Sequence, residues 1–379
     1  MNNQHPIVSF SLAEKLPAEV EGQIARIAAL PDVHRLAVMP DVHEGPIVPN
    51  GIAVATTSRI YPELVGGDIG CGVSAIKLEA DSCLINATAV EYILPFLRQH
   101  VPTLKQVKAC DHFEYPGPLA ANKLSDPSLT HHMDREGILQ LGTLGRGNHF
   151  IELDIDENKR AWVVVHSGSR SMGQCILDHY RHAAGIRREA GAWYLGKGSD
   201  LGESYLSDAA WAQRYANYNR LLMINRVADI FEQQWGIGLD ESSYIDSPHN
   251  FIRLETVDGN EMIVHRKSAN SAHSDELAII PGSMFSGSRI VRGLGNPNFL
   301  NSSSHGAGRR LGRKDAFARI KTREFIKVMQ GIAFNRASAS ELRDEAPQAY
   351  RDIDEVMRAQ HEQVRCISVL RPILNDKRI

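Results

Sequence analysis

The chain has 379 residues, of which 43% are hydrophobic, so it can bury a substantial core as one large domain or two smaller ones. Its formal net charge of −3 argues against a protein that coats nucleic acid without specificity, although a local basic groove remains possible. No apolar run reaches the length of a signal peptide or a membrane span, and the five cysteines show no paired spacing. These features predict a cytoplasmic protein with reduced thiols.

The hydrophobic pattern predicts helices and strands in an irregular order. The predicted elements are, in chain order, a helix over residues 17–30, an extended segment over 36–39, strands over 51–58 and 72–78, a helix over 89–100, strands over 149–153 and 161–166, a long helix over 207–235, strands over 249–256 and 261–266, a glycine- and serine-rich tract over 281–308, and helices around 314–329 and 348–364. The strands over 149–153 and 161–166 are expected to pair as a hairpin. Ser207 or Asp208 is expected to cap the long helix.

This mixture of elements predicts an α+β fold. No linker rich in proline, serine or glycine divides the chain, and the candidate ligands described below are spread over most of it. We therefore expect residues 1–379 to form one large domain, with mixed sheets around a central cleft for metal and nucleotide.

A carboxylate and a thiol three residues apart, Asp68 and Cys71, stand among the four glycines of residues 66–72. Four histidines further along begin or end segments that are strand-like or rich in glycine: His149, His166, His249 and His305. Scaffolds often present polar side chains to a cleft at such positions. A single histidine in a strand is more often an ordinary core residue, but the whole set favours a metal centre.

Oxygen, thiolate and imidazole donors together suit a divalent transition ion such as Mn or Zn. A thiolate can also bridge two ions. One Asp, one Cys and three His therefore supply enough donors for two neighbouring ions that share Cys71, with open positions for phosphate oxygens.

Residues 281–288 suggest a nucleotide site, because Pro-Gly-Ser-Met with Ser286 and Ser288 would let backbone N–H groups and hydroxyls approach a phosphate. The chain has no P-loop motif and no Lys-x-Asp-Gly motif that could supply a lysine nucleophile. A covalent nucleotide carrier would have to be another residue. His305 is suited to this role, since the Gly-Ala-Gly that follows leaves the imidazole open and Arg309 is near enough in sequence to neutralise charge.

The stretch around His305 is more basic than the rest of the chain, which suggests a local groove for nucleic acid. Its cations are Arg289, Arg292, Arg309, Arg310, Arg313, Lys314, Arg319 and Lys321. A solvated helix face explains residues 319–323 equally well. It explains Arg309 and Arg310 less well, because they directly follow a glycine-rich turn.

Nine motifs occur in a fixed order from residue 39 onward. They read Met-Pro-Asp-Val-His (39–43), Asp-Ile-Gly-Cys-Gly-Val (68–73), Leu-Gly-Thr-Leu-Gly-Arg-Gly-Asn-His-Phe (141–150), His-Ser-Gly-Ser-Arg (166–170), His-Asn (249–250), His-Arg-Lys (265–267), Ile-Pro-Gly-Ser-Met (280–284), Val-Arg-Gly-Leu-Gly (291–295) and Ser-His-Gly-Ala-Gly-Arg (304–309). In these motifs the chain closely resembles the RtcB family of RNA-splicing and RNA-repair ligases, from about residue 36 to the end.

The resemblance implies a Mn- and GTP-dependent ligase that joins an RNA 3′-phosphate or 2′,3′-cyclic phosphate to a 5′-hydroxyl, in RNA repair or tRNA splicing. It implies one Mn ion held by Asp68, Cys71 and His149, and a second held by Cys71, His166 and His249. His305 would attack the α-phosphate of GTP and carry GMP. The implied guanylate pocket consists of Asn148, Glu152, Ser283, Ser288, Ala307, Gly308 and Lys377. The residues implied to assist phosphate chemistry or RNA placement are Asp41, Arg170 and Arg309.

Two other functions compete with this hypothesis. A metal-dependent phosphoesterase or nuclease acting on RNA ends could use the same donors to activate water, but it would not need an open imidazole beside a nucleotide loop. A non-catalytic RNA-binding module would not need the metal donors, and the slightly acidic charge balance does not favour it. The sequence leaves open which RNA is sealed and whether an accessory protein takes part.

Overall fold

The fold is taken from a computed structural model that describes residues 6–81, 85, 87–106, 119, 123–185, 188–189 and 192–378. Within this part of the chain, no helix is both long enough and apolar enough to cross a membrane. Cys83 and Cys110 lie outside the described residues, whereas Cys71, Cys175 and Cys366 are free thiols.

Strands and helices alternate irregularly along the chain. The strands are β1 Ile7–Phe10, β2 Val33–His43, β3 Asn50–Thr56, β4 Arg59–Ile60, β5 Gly72–Asp81, β6 Phe150–Ile155, β7 Arg160–Ser167, β8 Arg188–Glu189, β9 Ala192–Trp193, β10 Leu195–Gly196, β11 Leu239–Pro248, β12 Asn250–Val257, β13 Asn260–Lys267, β14 Ala269–Ser271, β15 Leu277–Pro281, β16 Ser288–Gly293, β17 Ser302–Ser304 and β18 Val364–Lys377. The α-helices are α1 Ala18–Ala28, α2 Ala87–His100, α3 Pro127–His132, α4 Ile138–Gln140, α5 Ser171–Ala184, α6 Asp200–Trp235, α7 Arg313–Arg319, α8 Thr322–Val328 and α9 Ile353–Ala359.

Two large sheets organise these elements. A seven-stranded sheet has the order β11-β5-β7-β6-β18-β16-β15, and all of its neighbouring strands are antiparallel. A five-stranded sheet has the order β1-β2-β3-β13-β12 and is mixed, because β1 runs parallel to β2. The predicted α+β fold with mixed sheets is thus confirmed. That residues 1–379 form one domain stays a prediction.

Helix α6 covers one face of the seven-stranded sheet. Met223, Val227 and Phe231 pack in one apolar cluster with Ile151 of β6 and Val163 of β7. The N-terminal half of α6 belongs to a second cluster, in which its aromatic residues pack against residues of α5. The helix is therefore buried on different faces along its length, and it supports the back of the strands that carry the site.

The predicted elements agree with the structure where apolar periodicity is strong. The expected hairpin is present, since β6 and β7 pair antiparallel with Phe150 opposite His166. The predicted N-cap of the long helix is wrong: α6 begins at Asp200, and the side chain of Ser199 accepts a hydrogen bond from the Gly202 N–H. The first turns of α6 were not predicted, because the apolar residues in them are separated by acidic residues.

The C-terminal helices are shorter than predicted. The helix expected around 314–329 is divided into α7 and α8, because Ile320 and Lys321 adopt extended backbone conformations. The helix expected around 348–364 is reduced to α9, and β18 already begins at Val364. Strands β16 and β17 lie inside the glycine- and serine-rich tract.

Candidate metal and nucleotide site

The turn before β5 brings Asp68 and Cys71 together. The Cys71 N–H donates to the Asp68 carbonyl at 3.1 Å, and the Cys71 side chain is buried. Gly70 has φ +76°, and a Cβ there would lie 2.6 Å from the Cα of Gln213 in α6, so the turn requires glycine at this position. The turn that carries the carboxylate and the thiol is thereby held against helix α6.

The β6–β7 hairpin brings two histidines to this turn. The Cys71 Sγ lies 3.5 Å from the Nε2 atom of His149 and 3.3 Å from the Nε2 atom of His166. The Asp68 Oδ2 lies 3.3 Å from the same Nε2 of His149. Cys71, His149 and His166 offer ligand atoms that all lie within 4.8 Å of one another. This is the spacing that a bound transition ion requires.

Backbone carbonyls orient both imidazoles. The Nδ1 atoms of His149 and His166 lie 2.9 Å from the Leu144 carbonyl and 3.2 Å from the Asn148 carbonyl, respectively. Because a carbonyl only accepts, each Nδ1 carries the proton and each Nε2 presents a lone pair towards Cys71. Burial also lowers the pKa of His166 well below its usual range, which keeps the ring in the neutral form that binds metal.

The charges of the turn depend on its neighbours. When no metal is bound, burial acts to raise the pKa of Asp68, but the hydrogen bond and the charge of a protonated His149 outweigh it, so this pKa lies below its usual range. Burial, followed by the charge of Asp68, raises the pKa of the Cys71 thiol. A metal ion would reverse the second effect, because a coordinating thiol loses its proton.

His249 connects the metal ligands to His305. Its ring centroid lies 5.2 Å from that of His166 and 5.0 Å from that of His305. The His249 side chain is 2% exposed, and its Nδ1 has no hydrogen-bond partner. A buried polar atom without a partner is costly, and a metal ion at this position would satisfy it.

Asp41, at the end of β2, fixes the orientation of His305. The Asp41 Oδ2 accepts from the His305 Nδ1 at 2.6 Å, from the His305 backbone N–H at 3.1 Å and from the Gly306 N–H at 3.2 Å. The carboxylate is fully buried, whereas the imidazole is 13% exposed. With Nδ1 committed to Asp41, the Nε2 of His305 is left as the free nitrogen.

His305 opens into a cleft of about 970 Å³. Four residues of the expected guanylate pocket line this cleft: Asn148, Ala307, Gly308 and Lys377. Four cations of one short segment line it as well: Arg309, Arg310, Arg313 and Lys314. The cleft therefore combines an open imidazole with a positively charged wall, which suits a polyphosphate.

The remaining expected residues lie beside the cleft. Glu152 is buried two residues after the lining residue Phe150, and its carboxylate accepts a hydrogen bond from Asn375. The Ser283 Oγ lies 2.9 Å from the Ser286 Oγ, and the buried Ser288 Oγ has no hydrogen-bond partner. None of these three is a lining residue.

Arg170 and Arg309 have different neighbours. The Nε of Arg170 donates to the Thr143 Oγ1 at 3.3 Å, and its Nη1 lies 3.4 Å from the His149 Nδ1, so this guanidinium places positive charge beside a metal ligand and does not line the cleft. The Nη1 of Arg309 donates to the Glu345 carboxylate at 3.2 Å and lies at the cleft wall.

Glu345 is a site residue that the sequence analysis missed. It pairs with three cations: Arg309, Arg313 and Lys377. Although burial acts to raise it, the charges of Lys377, Arg313 and Arg309 lower the pKa of Glu345 to about 2. This carboxylate holds one wall of the cleft together. An acidic residue in a polar 3₁₀ segment gives no periodic signal that could have identified it.

Arg220 of α6 is a second residue that the sequence analysis missed. Its fully buried guanidinium donates to the Gly70 carbonyl at 2.9 Å, to the Ser167 carbonyl at 2.8 Å and to the Asp246 carboxylate at 2.7 Å. Gly70 precedes Cys71, Ser167 follows His166, and Asp246 lies on the strand that leads to His249. One side chain thus fixes three ligand-bearing segments, and a cation on a buried helical face was the available signal.

Substituting Arg220 with methionine should weaken metal binding by roughly 10- to 100-fold, as expected when a group that orients ligands is lost. Titration of the folded variant with Mn or Co(II) measures this effect. Arg266→Met is the matched control, because Arg266 is equally buried but bonds to Glu255, Ser302 and the Leu300 carbonyl. Equal metal affinity in the two variants would mean that Arg220 serves stability alone.

Comparison with known proteins identifies relatives over nearly the whole chain. A family model described as tRNA-splicing ligase RtcB matches residues 23–116 and 101–378. The RNA-splicing ligase RtcB of Escherichia coli (strain K12) is 31% identical over 377 residues, which cover 92% of this chain and 89% of the relative. The RNA-splicing ligase RtcB2 of Escherichia coli (strain ATCC 25922) is 31% identical over 372 residues, covering 93% and 88%. The RNA-splicing ligase RtcB of Mycobacterium tuberculosis is 32% identical over 285 residues, or 64% of each chain.

Proposed function

Since this chain belongs to the RtcB family and is an RNA ligase, we propose that it joins an RNA 3′-phosphate or 2′,3′-cyclic phosphate end to a 5′-hydroxyl end at the expense of GTP. Two Mn ions and a GMP-histidine intermediate on His305 are part of this proposal. RNA repair and tRNA splicing are the processes that require such a reaction.

The position of the His305 ring carries the proposal. Its Nδ1 is committed to Asp41, its Nε2 is free, and the ring stands 5.0 Å from His249 at the edge of the cleft. A hydrolase that activates water at a metal centre needs no such nitrogen. A nucleotidyl carrier needs a nucleophile in this position, with its second nitrogen held by a carboxylate.

The proposed chemistry proceeds in three displacements. First, the His305 Nε2 attacks the α-phosphorus of GTP, the bond to the bridging oxygen breaks, and pyrophosphate leaves. Second, an oxygen of the RNA 3′-phosphate attacks the same phosphorus, the P–N bond breaks, and the imidazole is restored. Third, the RNA 5′-hydroxyl attacks the 3′-phosphorus and GMP leaves. A cyclic end must first be opened by water, which supplies the missing oxygen.

We propose that Asp68, Cys71 and His149 hold one Mn ion and that Cys71, His166 and His249 hold the other. The close spacing of three of these ligands, the unsatisfied Nδ1 of His249 and the mixed donor set support this assignment. Bound there, the ions would withdraw charge from phosphoryl oxygens. The chain itself supplies the orientation of Nε2 through Asp41 and the positive wall that receives the leaving phosphates.

We propose that the guanylate lies between Asn148, Ala307, Gly308 and Lys377, with Glu152, Ser283 and Ser288 next to it. The first four line the cleft, which supports their assignment most directly. Asp41 acts by orienting His305, Arg170 by placing positive charge beside the metal ligands, and Arg309 by neutralising phosphate charge at the wall.

The experiment that tests the function is self-labelling of the purified protein with Mn and GTP. GTP labelled at the α-phosphate should leave an acid-labile label on the protein, because a P–N bond hydrolyses in acid, whereas γ-labelled GTP should leave none. The labelled protein should then convert RNA with 3′-phosphate and 5′-hydroxyl ends to a longer product. A protein that takes up no label and only hydrolyses cyclic phosphates would be a phosphoesterase.

Substituting Lys377 with methionine should raise the KM for GTP in self-labelling by roughly 10- to 100-fold, since a charged hydrogen bond contributes about 1.5–3 kcal/mol. Metal content should not change, because the partners of Lys377 are not proposed metal ligands. Its Nζ pairs with Glu345 and lies 5.7 Å from the Phe150 ring centroid. Lys77→Met is a matched control: its ammonium also lies over an aromatic ring, that of Trp162, outside the cleft. An unchanged KM would exclude Lys377 from the guanylate pocket.

A further inference from the structure

The segment from Arg309 to Arg343 differs in charge from the rest of the molecule. It contains ten lysines and arginines and three acidic residues, a formal charge of +7 in a chain whose total is −3. Helices α7 and α8 of this segment pack on an apolar cluster that includes Ala316, Phe325, Met329 and Leu342. The cations are therefore presented by a structured surface.

Three of these cations have structural partners. Arg309 and Arg313 pair with Glu345, and Arg343 donates to the Phe317 carbonyl at 3.0 Å. The seven others are exposed and have no carboxylate partner among the described residues, and six of them lie between Arg310 and the end of α8, apart from Arg336. This set of six, which we call the cationic surface, consists of Arg310, Lys314, Arg319, Lys321, Arg323 and Lys327. Asp315 and Glu324 of the same helices offset only part of this charge, because the six cations outnumber them, and a net positive surface of this kind attracts a polyanion.

The cationic surface is continuous with the cleft that contains His305. Arg310 and Lys314 belong to both, because both residues line the cleft. Arg310 lies just before α7, and Lys314 lies in its first turn. The lining residues from the N-terminal part of the chain are of mixed charge, since they include the exposed Lys15, Glu19 and Glu44. A polyanion that ends at His305 is thus attracted most strongly by the lining segment from Arg309 to Lys314.

Two exposed aromatic rings stand among these cations. Phe317 of α7 is 36% exposed, and Phe285 is 50% exposed. Met284, next to Phe285, packs in the same apolar cluster as α7 and α8, so both rings lie at this surface. Aromatic faces stack with unpaired bases, whereas the bases of a duplex are already stacked on one another.

We propose that the unpaired RNA strand leading to the reacting end lies across the cationic surface, with its phosphates on the cations and a base stacked on Phe317. This proposal rests on the proposed function, because it extends the path of the RNA outward from His305. The alternation of cations and aromatic rings favours a single strand of RNA over an acidic protein, because the unpaired bases of RNA can stack on the rings, whereas acidic side chains cannot.

The test is the salt dependence of binding, measured by fluorescence anisotropy with a short single-stranded RNA that bears a 3′-phosphate. Lys321→Gln combined with Arg323→Gln removes two cations that do not line the cleft. The slope of log affinity against log salt should fall by about 1.4, and the affinity at about 0.1 M salt should fall about 25-fold. Phe317→Leu, which keeps an apolar side chain without the ring, should weaken binding at least about five-fold.

Lys159→Gln combined with Arg365→Gln is the matched control for charge. Both residues are exposed, Lys159 in the β6–β7 turn and Arg365 at the start of β18, at the sheet end opposite His149 and Lys377. This control should keep the slope of the unmodified protein. A slope that is unchanged in the Lys321/Arg323 variant, or lowered equally in the control, overturns the proposal. Competition by a poly-glutamate peptide as strong as that by RNA would also overturn it.

Self-labelling of the unmodified protein with GTP separates this inference from the proposed function. If the protein is labelled but the salt slope of the Lys321/Arg323 variant equals that of the unmodified protein, the proposed RNA path is wrong and the proposed ligase chemistry stands. If the two salt slopes differ but the protein takes up no label, the proposed RNA path stands and the proposed guanylate chemistry is wrong.

Discussion

Replacing His305 with alanine is expected to reduce self-labelling by GTP more than about 10³-fold, because it removes the nucleophile itself. Metal content should be retained, since the proposed ligands are all other residues. The measurement is acid-labile label on the protein, with total metal determined in parallel. A labelled His305→Ala protein would show that another residue carries the nucleotide.

His34→Ala is a suitable control for this substitution. His34 lies near the start of β2, the strand whose other end carries Asp41, and it pairs with Asp258 at 2.8 Å. Asp41→Asn gives a second comparison, because it keeps the shape of the side chain but not its charge. Labelling by that variant should fall roughly 10²- to 10⁴-fold, as when a carboxylate that orients a catalytic imidazole is neutralised.

Replacing Cys71 with alanine is expected to lower the affinity for metal by more than about 10²-fold and to abolish ligation. The physical reason is that one thiolate is shared: its loss removes a donor from both proposed ions. Elemental analysis measures the metal content. In the Co(II)-loaded protein, the absorption band of the cobalt–thiolate bond should disappear. Full occupancy in the variant would contradict a bridging sulfur.

Cys175→Ala is the matched control for the thiol. Cys175 lies on α5, packs against an apolar cluster and is none of the proposed ligands. Its removal should leave the metal content and the cobalt spectrum unchanged. Zn found in a purified sample would not identify the ion used in the cell, because such donors bind Zn more tightly than Mn.

The part of the site that the sequence could predict is the part with distinctive residue chemistry. Asp68 and Cys71 among glycines, and histidines at the ends of strands, indicated a shared location before any geometry was known. The structure brings Cys71, His149 and His166 together. It also gives His305 a carboxylate partner in Asp41, 264 residues earlier in the chain. The hairpin was predictable because its periodicity is local.

The part that could not be predicted depends on long-range contacts between common residue types. Glu345 has no special neighbours in the sequence, and its importance arises only where three cations from two separate segments meet it. Arg220 resembles any arginine of a long helix until its carbonyl partners are known. The start of α6 was missed because tertiary packing buries Tyr205 in turns where local polarity is high.

The separation between Asp41 and His305 has a consequence for how activity arises during synthesis. The carboxylate leaves the ribosome long before the imidazole that it must orient, and the proposed metal ligands emerge in between. A nascent chain that stops short of residue 305 lacks the proposed nucleophile, and it also lacks β18, the strand that pairs with β6 next to His149. Reactivity towards GTP would therefore arise late in synthesis, after residue 305 has been added, and shorter products would not react with GTP.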